Sequence, residues 1–198
     1  LGDGPVRPAF GTVVRGTIAA PYRFRPGVEP ETTAPDPESR PDPGSAADGG
    51  RARAEALLRS DLPDDAALQA VVEALAAAHP AWNWVGIYLL AGDTLVLGPF
   101  VGPPTEHVRI PVGAGVCGTA VAEDRNLVVD DVAELDNYLA CSTGTRSEIV
   151  VLIRDGDDLV GQFDVDSDDI GAFSADDESL LSALAGLAGP RCRRLVQS

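Results

Sequence analysis

The chain has 198 residues, a formal net charge of −16 and 44% hydrophobic content. That apolar mass suits one ordinary globular domain with a real core. The charge argues against nucleic acid or an anionic membrane as partner, because phosphate binding needs clustered Lys and Arg. No lysine occurs anywhere, so the basic side chains are essentially all Arg. Such an acidic surface suits solubility, or a high-salt habitat. No apolar run approaches the roughly 18 residues that cross a bilayer. The N-terminal stretch lacks a charged segment followed by an apolar one, so a cytoplasmic protein without a leader is expected.

Residues 1–50 are expected to form an N-terminal extension. Within it, "PGVEPETTAPDPESRPDPGSAADGG" (26–50) has the composition of a disordered linker. Residues 1–25 hold one candidate strand, "GTVVRGTIAA", and too little apolar mass to fold alone. The folded domain is expected over 51–198.

Periodicity then takes over. In "DLPDDAALQAVVEALAAAHP", Leu68, Val71, Val72 and Leu75 recur at helical spacing, acidic residues open the run and Pro80 closes it. "NWVGIYLL" (83–90) and "DTLVLGPF" (93–100) are β-rich runs joined by Ala91-Gly92, which is hairpin spacing. "HVRIPV" (107–112) is a third short strand, and "GAGVCGTAVAEDR" (113–125) a Gly-rich turn feeding a short helix. "NLVVDDV" (126–132) is a further strand, followed by a polar loop. "SEIVVLI" (147–153) and "DLVGQFDVD" (158–166) are strands joined through an Asp-Gly turn. A last helix is expected to start at Ser174, which has capping-box spacing to Asp177. Leu180, Leu181, Leu184 and Leu187 line one face of it, and Gly189-Pro190 should stop or kink it. The fold class is therefore α+β: one antiparallel sheet with helices packed on it.

Chemistry concentrates in a few residues. The three cysteines, Cys117, Cys141 and Cys192, are odd in number and widely spaced. They make neither a disulfide framework nor a zinc ligand set, and no metal or cofactor is expected. Cys117 lies at the start of a short helix, where unpaired N–H groups favour a thiolate; it could equally be a small residue packed between helix and sheet. Cys141 lies in a loop among small polar residues, which gives it access to solvent, with Arg146 close behind; an unreactive thiol is the alternative. Glu148 opens one strand. Asp164 and Asp166 sit at i and i+2 in another, so both point to one sheet face. If that face is half buried, repulsion and desolvation raise their pKa values and let a carboxylic acid donate a proton. A strand end reaching solvent is the alternative. Trp84 and Tyr88, four apart in a strand, share a face and could wall a pocket or fill the core.

"NWVGIYLL", "DTLVLGPFVG", "VRIPVGAGVCGTAVA", "LACS", "SEIVVLI", "GQFDVDS" and "GAFSADDESLL" occur in that order between about residues 65 and 188. Together they resemble the free methionine-(R)-sulfoxide reductases, which have the GAF fold. The resemblance implies a single GAF domain that reduces free, not protein-bound, methionine (R)-S-oxide. It makes Cys141 the nucleophile and Cys117 a second redox thiol. It makes Trp84, Tyr88, Glu148, Asp164 and Asp166 the substrate pocket, with Glu148 and Asp166 also serving the sulfoxide oxygen. A sulfenic acid on Cys141, an intramolecular disulfide and a thioredoxin-type reductant follow from the same resemblance. A homodimer is implied by resemblance alone. One departure stands out: His107 replaces the cysteine that the family commonly carries before "VRIP" and uses as a resolving thiol. Cys117, or more weakly Cys192, would have to take that part. A GAF module that only binds a ligand or senses oxidation is the competing reading.

Overall fold

The computed structural model describes residues 43–135 and 144–197, with side chains from residue 48 onward. The elements are α1 (Pro43–Leu58), α2 (Asp64–Ala78), β1 (Trp84–Ala91), β2 (Thr94–Val101), β3 (Arg109–Pro111), α3 (Gly115–Glu123), β4 (Leu127–Val129), a 3-10 turn (Val132–Glu134), β5 (Ser147–Asp155), β6 (Asp158–Ser167) and α4 (Ala175–Gln197). The strands form one sheet in the order β3-β2-β1-β6-β5-β4, and every neighbouring pair is antiparallel. The expected α+β architecture is what the chain adopts.

Strand alternation divides the sheet into two faces. Val85 and Ile87 of β1, Ile149, Val151 and Ile153 of β5, and Phe163 and Val165 of β6 point to one side. There they meet Leu68, Val71, Val72 and Leu75 of α2 and Leu181, Leu184 and Ala188 of α4 in the main core. The opposite face carries a smaller cluster containing Trp84, Tyr88, Val150 and Leu152 beneath Val116, Cys117 and Ala120 of α3. Trp82 and Trp84, separated by one residue but with the chain turning into β1 between them, enter different clusters.

The ends of α4 explain its length. Ser174 and Asp177 form the expected reciprocal cap: the Ser174 N–H donates to Asp177 Oδ2 at 2.7 Å and the Asp177 N–H donates to Ser174 Oγ at 3.4 Å. Contrary to expectation, Gly189-Pro190 does not end the helix, which runs on to Gln197. Pro190 deprives only the Gly186 carbonyl of its helical donor, and Gly186 is exposed to water. The turn beyond is held by tertiary contacts. The guanidinium of buried Arg191 donates to the carbonyls of Leu58 (3.0 Å), Leu62 (2.9 Å) and Ser60 and to Asp64 Oδ1 (3.0 Å). Gly189 lets α4 lie close against β5, since a Cβ there would collide with the Arg154 carbonyl oxygen.

The N-terminal boundary also differs. Helix α1 begins at Pro43, inside the stretch whose composition reads as linker up to residue 50. Packing overrides propensity here. Ala54 and Leu58 join the main core, and Gly50 sits where a Cβ would come within 2.3 Å of the Ala78 Cβ. The poor helix former is the residue that lets α1 cross α2 closely. The candidate strand in 1–25 lies outside the described residues.

Candidate functional site

The face under α3 is built in transverse rows by strand register. Trp84 of β1, Asp166 of β6 and Glu148 of β5 form the first, since Trp84 pairs with Asp166 and Glu148 pairs with Asp166. Gly86, Asp164 and Val150 form the second, and Tyr88, Gln162 and Leu152 the third. Two aromatics, three carboxylates and one amide thus share a patch of sheet with Gly86, Val150 and Leu152.

The carboxylates are not at a solvated strand end. Asp164 is 0% exposed, Asp166 1% and Glu148 2%. A carboxyl group this deeply buried resists ionisation, and neighbouring carboxylates add to the resistance. Desolvation pushes the Glu148 carboxyl well above its ordinary range, and the charges of Asp164 and Asp166 push it further. Asp166 is raised by desolvation and then by Asp164 and Asp168, while the Thr145 hydroxyl pulls the other way. The result is a site that holds protons in a pH range where ordinary carboxylic acids have lost them.

Cys117 reaches this patch from the first turn of α3. Its thiol donates to Glu148 Oε1 at 3.8 Å. Cys117 is 3% exposed, so it packs between helix and sheet and also faces the acids. Its Sγ and one oxygen each of Glu148 and Asp164 lie within 4.8 Å of one another. Such a set could converge on a small cation or on the ammonium group of a ligand.

The aromatic wall is held by close fit. The Trp84 indole lies over Gly86, where a Cβ would stand 2.2 Å from Cη2. Its ring stacks on Phe100 (5.5 Å between centroids) and Tyr88 (6.2 Å), and its Nε1–H donates to the Pro103 carbonyl at 3.2 Å. The Tyr88 hydroxyl donates to the His107 carbonyl at 2.8 Å. Both aromatics therefore fasten the β2–β3 connection across the site. His107, the residue in the place of the expected thiol, contributes a backbone oxygen.

The structure brings together Trp84, Tyr88, Cys117, Glu148, Asp164 and Asp166. Cys141 falls in 136–143, outside the described residues. Arg146 pairs with Asp131 at 3.3 Å. Cys192 sits on α4 in the main core, on the opposite side of the sheet, and burial pushes its thiol up to about 12. That places it apart from Cys117 and the carboxylates. Sequence reading missed Gln162 and Gly86. Gln162 was signalled by the same alternation that marks the aspartates, because 162, 164 and 166 share one face of "GQFDVDS". Gly86 carries no sequence signal beyond being a glycine inside a strand.

The model of the GAF domain matches residues 62–190. A free methionine-R-sulfoxide reductase of Escherichia coli (strain K12) is 47% identical over 102 residues, covering 52% of this chain and 61% of that protein. The alignment thus spans less than two-thirds of that relative's length. Among solved structures, the free methionine-R-sulfoxide reductase of Neisseria meningitidis in complex with its substrate superposes with TM-score 0.71 at 34% identity, covering 80% of this chain and 95% of that one. The type II enzyme of that name from Thermoplasma acidophilum gives TM-score 0.65 at 39% identity, covering 67% and 94%. No helix among the described residues is long and apolar enough to cross a membrane. The chain belongs to the GAF-domain family, in the part of it that includes the free methionine-R-sulfoxide reductases.

Proposed function

We propose that the protein reduces free L-methionine (R)-S-oxide to methionine, with Cys141 as nucleophile. The observation that carries this reading is the transverse row Trp84–Asp166–Glu148, buried, proton-holding and flanked by the Cys117 thiol. The names of the relatives support the substrate, and the "LACS" segment supports the choice of Cys141.

The chemistry accounts for each residue type. Attack of the Cys141 thiolate on the sulfoxide sulfur requires that the oxygen be protonated as its bond to sulfur breaks. Glu148 and Asp166, kept protonated by burial and mutual repulsion, donate to it. The protonated oxygen passes to the Cys141 sulfur as the transient sulfur–sulfur bond breaks, so the substrate leaves reduced, as methionine, and Cys141 is oxidised to a sulfenic acid. A second thiol then condenses with the sulfenic acid, forming a disulfide and releasing water. Cys117 is the candidate for that thiol, given its place beside Glu148. A dithiol reductant of the thioredoxin class restores both thiols by exchange. Trp84 packs the S-methyl group, Tyr88 braces it, and Asp164 pairs with the substrate ammonium.

The test is turnover of purified protein with free L-methionine sulfoxide resolved into its epimers, using dithiothreitol or thioredoxin as reductant. Loss of the R epimer alone is expected, and Cys141→Ser should abolish it. Absence of stereospecific loss with either reductant would overturn the assignment. Full activity in Cys141→Ser would move the nucleophile elsewhere.

A further inference from the structure

Cys117, Glu148 and Asp164 come from α3, β5 and β6, so no spacing along the chain announces them as a set. The Cys117 Sγ and one oxygen from each carboxyl lie within 4.8 Å of one another, and each residue is at most 3% exposed. The Cys117 Sγ–Glu148 Oε1 distance is 3.8 Å. A sulfur and an oxygen bound to one tetrahedral zinc at ordinary bond lengths stand about 3.6 Å apart. The Glu148 and Asp164 carboxyls are hydrogen-bonded to each other, which requires a proton between them. A divalent cation can take the place of that proton.

A second observation points the same way. Glu148 Oε2 is buried without a hydrogen-bond partner among the described residues, and so are Oε1 and Nε2 of Gln162. Gln162 is 0% exposed and lies two residues from Asp164 on the same face of β6. Buried polar atoms are rarely left without a partner, and a bound ion or its water is one way to complete them.

We propose that Cys117, Glu148 and Asp164 form a binding site for one thiophilic divalent cation of the zinc class, with its fourth position open. The thiol decides the class. Magnesium and calcium take about six or more oxygen ligands and have no use for sulfur. An ammonium group is served by the two carboxylates alone. A thiolate and two carboxylates fit a tetrahedral ion with three protein ligands. On binding, the Cys117 thiol proton and the proton between the carboxyls pass to solvent, and no electron is transferred. The site stands independently of the reductase reading. Where both hold, the ion ties up Cys117 and Glu148 and acts as an inhibitor.

The experiment uses the full chain carrying Cys141→Ser and Cys192→Ala, which leaves Cys117 as the one thiol. The probe is Co2+, whose thiolate complexes absorb in the near ultraviolet and whose visible bands are strong only at low coordination number. One Co2+ per chain should give both signals, and one Zn2+ should bleach them. Zinc affinity is then read by competition with a chromophoric chelator. It should fall at least ~tenfold in Glu148→Gln and in Asp164→Asn, and further in Cys117→Ala. Circular dichroism reports the folding of each variant, and substitutions on three separate elements keep the site testable if one of them unfolds. Absence of the thiolate band in the folded parent would overturn the proposal. So would unchanged zinc affinity in both carboxyl variants, because surface carboxylates would then be holding the ion. Zinc held by this set in a protein without sulfoxide turnover would refute the proposed activity and leave the cation site standing.

Discussion

Replacing Glu148 by Gln separates the electrostatic cost of the site from its packing. The two side chains are nearly isosteric, and a Gln Oε1 still accepts from the Cys117 thiol, so the change removes a titratable group and little else. In the native protein the Glu148 carboxyl is raised by desolvation and by the charges of Asp164 and Asp166. In the unfolded chain it titrates near 4.3. The unfolded state therefore releases this proton first. Stability falls as pH rises from about 4.3 through the folded-state pKa, and the loss persists above it. Each tenfold difference in proton affinity is worth about 1.4 kcal/mol, and for a domain of this size about 1 kcal/mol moves the melting temperature by about 2–4 °C. Glu148→Gln should thus melt higher relative to the parent at pH 8 than the same pair compared at pH 4, by ~3–6 °C for each tenfold difference in proton affinity. The readout is the change in that difference across pH, because any fixed packing cost of the new amide cancels. Circular dichroism melts at pH 4, 6 and 8 provide it. A difference independent of pH, or one growing more unfavourable toward pH 8, would refute a buried, proton-holding Glu148. Turnover of methionine sulfoxide should fall by at least ~100-fold in the same variant, since the proposed general acid has been removed.

The other expectations concern the wall and the thiols. Gly86→Ala places a methyl group against the Trp84 ring; it should cost about 1–3 kcal/mol in urea unfolding through overpacking, alter tryptophan fluorescence and raise KM for the sulfoxide. An unchanged KM with unchanged fluorescence would mean the indole does not define the pocket. Cys192→Ala should leave thioredoxin-coupled turnover at the parental rate, because its thiol is buried in the main core away from the site and pushed up to about 12. A selective loss of the thioredoxin-coupled rate would give Cys192 a redox role that its position denies it.

The regular elements were largely legible because each carried its own signal. The alternation of β1, β5 and β6, the 3.6-residue repeat of α2 and the Ser174–Asp177 cap are local properties, and all stand where the pattern placed them. Two boundaries failed for one reason. At α1 and at the C-terminal turn of α4, glycine and proline signal a break, but in both places a glycine permits an interhelical or helix–sheet approach and the gain in packing wins. The anchor for α4 is Arg191, bound to carbonyls of the α1–α2 turn that lies far away in sequence; no local window contains it.

The site divides along the same line. The sequence by itself determined that Asp164 and Asp166 share a face, that Trp84 and Tyr88 share one, and that a cysteine opens a short helix, because strand period and helix start are short-range facts. It left open whether the acids were solvated, whether the aromatics were core or wall, and what Cys117 faced. Only the pairing of β1, β6 and β5, with α3 laid across them, decided these questions. Register placed Trp84, Asp166 and Glu148 in one row, and burial turned Glu148 and Asp166 into proton-holding acids. Residues 64 positions apart in the chain, from Trp84 to Glu148, become neighbours in chemistry through backbone hydrogen bonds that their own side chains do not encode.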